Sequence, residues 1–225
     1  MEGTGAAVRM GAREVPVHAA PAGLDLYWLP LGAGGHSVRW NGRVFEAMSA
    51  LLERRAATDL YHSALVVRLP PDSWVIEMTP VWAASDARDR GVVAEGAVGS
   101  RWLGRSRFFR YEVHCWLDGS IADVADAVAS PVVITTEEAT CRRILASLPS
   151  VPTLVWGRDE MDAGGMWNSN SVTSWALARS GVDVAAIRPP AGGTAPGWDA
   201  GVAVERSAPE PAEVTVADGG IQNIG

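Results

Sequence analysis

Met166-Trp167-Asn168-Ser169-Asn170-Ser171-Val172-Thr173-Ser174-Trp175 is a polar knot running directly into an apolar helical pattern. Ser and Asn side-chain oxygens are good acceptors for the unpaired amides of a helix's first turn. Val172, Trp175, Ala176 and Arg179 then recur at helical spacing, and Gly181 is placed to stop the run. The pattern predicts a helix beginning at or near Asn168 and Ser169. Such a start either caps the helix and does no more, or presents a nucleophile to a histidine from elsewhere in the chain. What precedes the knot bears on that choice.

Upstream, Tyr61-His62-Ser63-Ala64-Leu65-Val66-Val67-Arg68-Leu69 and Trp74-Val75-Ile76-Glu77-Met78 read as two strands joined by a Pro-rich turn at Pro70-Pro71. A four-residue loop, Arg68 to Pro71, would pair Val67 with Asp72 and set His62 directly against Glu77. A shift of two residues keeps both on one face but moves them apart. An imidazole and a carboxylate are therefore expected to meet across neighbouring strands.

The remaining segments fit around these. Leu24 to Leu31 alternates as a first strand, Asn41-Gly42 marks a hairpin, and Met48 to Ala57 reads as a short helix. Trp82 to Arg90 is a charged connection, and Gly91 to Gly104 reads as irregular strand or loop. Phe109, Tyr111, Val113, Cys115 and Leu117 alternate with Arg110, Glu112, His114 and Trp116, as in a half-buried strand. That places Cys115 on the apolar side as core filler, and His114 is read as incidental. Helices are expected over Ser120 to Ser130 and from a Thr136 cap, the second burying Cys141, Ile144, Leu145 and Leu148. Trp198 to Val204 is expected as a last strand.

Composition limits the partners. The 225 residues are 48% hydrophobic, enough for one substantial core. The net charge of −7 argues against nucleic acid or an anionic membrane as a partner. No apolar run reaches the roughly 18 residues of a membrane span. Met1 to Ala22 lacks the apolar centre of a secretory signal, so a soluble, cytoplasmic protein is expected. Two cysteines without CxxC spacing, and no paired His spacing, predict neither a disulfide framework nor a metal site, and no cofactor is expected. Ten tryptophans are scattered through the chain, which suits core and pocket walls. The expected organisation is a flexible arm over 1–22, one α+β domain over 23–204, and a disordered tail over 205–225.

A strand histidine, an acidic residue on the next strand, and a later polar helix start form a base, an orienting group and a nucleophile at a helix end. In this order they resemble the circularly permuted branch of the NlpC-type papain-like superfamily. That branch includes the lecithin–retinol acyltransferase-like, PPPDE-type and YiiX-like proteins. Tyr61 to Val66 is similar to the family's histidine strand, Trp74 to Glu77 to the strand of its third residue, and Asn168 to Val172 to its nucleophile motif. The resemblance spans Leu24 to Val204, with about twenty motif-like residues. It implies a small, mainly antiparallel sheet packed against three or four helices. It also implies a hydrolase or acyl-transfer enzyme acting on an amide or ester. Ser169 would attack, His62 would be the base, Glu77 would orient His62, and Asn168 or Asn170 would shape the site.

Where the family carries cysteine, this chain has Ser169. A thiol can be held as thiolate by a helix end and an imidazolium, whereas an alcohol needs a base to take its proton during attack. Two readings follow: a serine version of the chemistry, or a catalytically inactive domain that binds in the same cleft between tryptophan walls. The substrate or ligand would be a small molecule, lipid or peptide. His36, in Gly35-His36-Ser37-Val38-Arg39, is an alternative base, and Glu46 an alternative carboxylate. The former stretch lacks the final glycine and the strand-to-helix setting of a nucleophile elbow.

Overall fold

A computed structural model describes residues 21–31, 59–81, 91–121 and 124–208. The expected hairpin at Asn41-Gly42, the helix at Met48 to Ala57, the connection at 82–90, and His36 and Glu46 lie outside the described residues. So do the arm through residue 20 and the tail from 209 onward. Among the described residues the protein is α+β, with seven strands and three α-helices. The strands are β1 (Gly23–Pro30), β2 (Asp59–Leu69), β3 (Asp72–Pro80), β4 (Val92–Ala97), β5 (Arg110–Leu117), β6 (Val132–Thr135) and β7 (Gly193–Thr194). The helices are α1 (Glu138–Ser147), α2 (Ser169–Arg179) and α3 (Trp198–Arg206). Six strands pair antiparallel in the order β4-β5-β3-β2-β1-β6, and β7 adds a short parallel pairing to the start of β2.

Strand alternation divides the sheet into two faces. Leu24, Leu26 and Trp28 of β1, Tyr61, Leu65 and Val67 of β2, Ile76 and Met78 of β3, and Tyr111 and Val113 of β5 point to one face. There they pack with Cys141 and Ile144 of α1, Val172, Trp175 and Ala176 of α2, and Val204 of α3. The opposite face carries a smaller apolar cluster, Leu29, Ala64, Val75 and Ile121. Among the described residues no helix is long and apolar enough to cross a membrane.

Three local expectations are corrected. The β2–β3 loop is two residues, Pro70 and Pro71, so Leu69 pairs with Asp72 and Leu65 with Ile76. Only the prolines leave the ladder, since Arg68 and Leu69 keep the N–H that pairing needs. Ser120 to Ser130 does not form the expected helix; Val124–Asp126 is a single 3-10 turn. The backbone there is engaged by β1: Val128 N donates to Trp28 O at 2.9 Å and Trp28 N donates to Ser130 Oγ at 2.8 Å. Finally, Trp198 to Val204 is helical, within α3. A short apolar run fits strand and helix alike, and here Ala200, Gly201 and Val204 bury at helical spacing. Gly201 meets α2 so closely that a Cβ would lie 2.0 Å from Ser171 O.

The helix expected from Thr136 starts one residue later, with Glu137 as its N-cap, and buries Thr140, Cys141 and Ile144. Cys115 packs against the helix-side core, and burial pushes its thiol up to about 11. The Cys141 thiol is also raised by burial, so neither sulfur is held as thiolate.

Candidate functional site

Asn168 is the N-cap of α2, in extended conformation. Its Oδ1 accepts from Asn170 N at 2.9 Å and Ser171 N at 3.3 Å, while Ser171 Oγ accepts from Asn168 N at 3.1 Å. This is a capping box with serine at its third position. Asn168 Nδ2 also donates to Pro196 O at 2.8 Å. Ser171 Oγ lies 2.7 Å from Gly197 O, and Ser174 Oγ donates to Trp198 O at 2.7 Å. Gly197, at φ +83°, permits this approach; a Cβ there would stand 2.5 Å from Met166 O and 2.7 Å from the Asn168 amide.

Asn170 ties this knot to the sheet. β3 stays paired with β5 through Pro80, whereas its ladder with β2 ends at Leu65–Ile76. Asn170 Nδ2 donates to Tyr61 O at 2.9 Å and to Pro196 O at 2.9 Å, and its Oδ1 accepts from Ser63 Oγ at 2.9 Å. The amide thus takes the place of a strand partner for β2 beyond Leu65. Every residue from Ser169 to Leu177 is buried, which suits a helix whose hydroxyls are satisfied on several sides. Ser169 is the exception within the knot. It is 7% exposed, and among the described residues its hydroxyl makes no hydrogen bond.

The other two expected residues lie across the sheet. In the β1–β2 ladder Trp28 pairs with Ser63 and Leu29 with His62. Ser63 reaches Asn170 on the helix side, whereas Leu29 belongs to the opposite cluster. Alternation therefore directs His62 away from α2. Glu77 shares the His62 face, two positions from Val75, but the two-residue register shift places them on different rungs. His62 and Glu77 are thus brought to one face, Asn168, Ser169 and Asn170 to the other, and the sheet separates the two sets.

Glu77 pairs instead with His114, and Thr79 with Glu112. Thr79 Oγ1 and His114 Nε2 are 3.0 Å apart, and His114 Nε2 is 3.4 Å from Glu112 Oε2. His114 and Glu112 are buried. The result is a cluster of ionisable groups on the face opposite the helices. His114 read as incidental because its strand shows ordinary apolar–polar alternation; only the cross-strand register collects the polar set. Burial lowers the His62 pKa to about 4, so its imidazole is neutral at pH 7 and a weaker base than an ordinary histidine.

Two aromatic rings border the knot. Trp28, the partner of Ser63, stacks obliquely on Trp198 at the start of α3, with ring centroids 5.2 Å apart. Their indole nitrogens are buried without a hydrogen-bond partner among the described residues. Chemically, the helix start offers a hydroxyl and a positive dipole end, which suit a carbonyl or carboxylate oxygen. No family model, curated protein or solved structure matches the chain.

Proposed function

We propose that the chain is a permuted papain-like domain that binds a small molecule or peptide at the start of α2 without cleaving it. Strands precede the Asn-Ser-Asn helix in the chain, and that helix packs on β2, an order that supports the permuted reading. One observation carries the choice of binding over hydrolysis: the Ser169 hydroxyl is uncommitted at the helix start while the His62 side chain belongs to the opposite face. Ser169 would donate to a ligand oxygen, with Trp28 and Trp198 as apolar walls and Asn168 and Asn170 holding the helix start rigid.

A fluorophosphonate probe tests this directly. The folded protein is expected to show no labelling at Ser169. Labelling at Ser169 that disappears in His62→Ala would overturn the binding reading in favour of an amide or ester hydrolase.

The hydrolytic reading keeps one point in its favour, the same uncommitted hydroxyl at a positive helix end. It needs a base other than His62, and His36 is the sequence's alternative. Ser169→Cys separates the two readings. A thiol of ordinary pKa fits a site without a facing base, and a His-dependent, low-pKa thiol would restore the enzyme.

A further inference from the structure

We infer that the turn Arg101 to Arg110 is a docking surface for an anionic phospholipid membrane. Between Glu95 and Glu112 the chain has no acidic residue but has Arg101, Arg105, Arg107 and Arg110, within a protein of net charge −7. Two 3-10 turns, Leu103–Arg105 and Arg107–Phe109, fold this stretch beside β4. Trp102 is 70% exposed and Phe108 60% exposed, the two most exposed aromatic side chains among the described residues. Arg101 and Arg110 are engaged by Glu160 and Glu95. Arg105 and Arg107 are exposed and make no ion pair among the described residues.

The turn is held firmly from below. Gly104 sits so close to β4 that a Cβ would lie 2.6 Å from the Ala97 side chain, and Phe109 packs on the main core. Ser106 N donates to Leu103 O and Phe109 N to Ser106 O, both at 2.9 Å. Trp102 and Phe108 are thus presented on an ordered base, and among the described residues no helix or strand covers them.

Indole and phenyl rings partition to the headgroup boundary of a bilayer, and arginine pairs with phosphate there. The overall negative charge does not prevent this, because screening at physiological salt confines each charge to a range of about 8 Å. At that distance a lipid surface meets the arginine turn and not the protein's mean charge. A single-stranded nucleic acid would want a continuous basic groove, and among the described residues only two arginines of this turn lack an ion pair.

Co-sedimentation of the full chain with vesicles provides the test. Vesicles of an equal phosphatidylcholine and phosphatidylglycerol mixture are expected to bind the protein, and pure phosphatidylcholine to bind it roughly tenfold less. Trp102→Ala with Phe108→Ala, and separately Arg105→Gln with Arg107→Gln, should each weaken binding to the mixture roughly tenfold while thermal unfolding stays unchanged. No sedimentation with the mixture, or sedimentation indifferent to phosphatidylglycerol or to both double variants, overturns the inference. So does a single-stranded oligonucleotide that binds with the same dependence on these residues while vesicles do not.

Discussion

The two faces of the central sheet handle polar side chains in opposite ways. On the helix face, Asn168, Asn170, Ser171 and Ser174 are each tied to named backbone partners, and the result is a rigid junction of β2, α2 and the 196–198 turn. On the other face, His62, Glu77, Glu112 and His114 gather ionisable groups on neighbouring strands. Amides and hydroxyls do not titrate in the working range, so the first face is a pH-independent structural device. On the second, burial lowers the His62 pKa, which ties part of the stability to pH. A polar cluster in a core is therefore no single kind of evidence: its hydrogen-bond accounting separates scaffold from titratable site.

The largest expected effect belongs to Asn170. Replacing it with Ala removes an amide that satisfies Tyr61 O, Pro196 O and Ser63 Oγ together. Buried partners left unsatisfied cost about 1–3 kcal/mol each, so Asn170→Ala should destabilise the protein by about 3 kcal/mol in urea unfolding. Ser63→Ala should cost about 1 kcal/mol, and the two losses should be less than additive. Full additivity would mean that Ser63 and Asn170 do not act through a shared bond. Gly201→Ala comes next. Its new methyl would face Ser171 O at 2.0 Å, and prying α3 from α2 should cost about 2 kcal/mol.

The opposite face is probed by pH. Burial depresses the His62 pKa from 6.5 to about 4 in the folded protein. Between those values the unfolded chain carries a proton at His62 that the folded protein lacks, so unfolding takes up protons. This part of the stability is present above pH 6.5 and is lost progressively as pH falls towards 4. Allowing for the partial exposure of His62, the loss should be about 2 kcal/mol. His62→Gln should flatten the slope of stability against pH in that window. An unchanged slope would show that His62 titrates normally and that its surroundings are wetter than the fold implies.

Much of this architecture was legible in local pattern. The Asn168 cap, the Gly181 stop and the β2 and β3 strands each follow from residues within one turn or one strand of each other. The face of each strand residue was also readable, because alternation has a period of two. Register was not: a two-residue loop and a four-residue loop share parity, and nothing local to Pro70-Pro71 chooses between them. His62 and Glu77 accordingly share a face but not a rung. Whether the His62 face is also the α2 face is a tertiary question, since β2 is apolar on both sides and reads alike from either. Trp198 to Val204 failed for a related reason: a short apolar run with small residues fits strand and helix alike until Gly201 is seen against Ser171.

Ser169 should show the smallest effect on stability, and for that reason it sharpens the contrast most. It follows the Asn168 cap, contributes no bond to the capping box, and makes no hydrogen bond through its hydroxyl among the described residues. Alanine is an excellent helix former, so Ser169→Ala should change unfolding stability by no more than about 0.5 kcal/mol. Asn170→Ala, one position along, should cost several times more. If Ser169→Ala instead proves as damaging as Asn170→Ala, the hydroxyl is another brace of the junction, and the knot would be scaffold throughout. A near-neutral result leaves a polar atom that folding does not use at the positive end of a buried helix. That atom would then be free to donate to the ligand oxygen that the proposed binding role calls for.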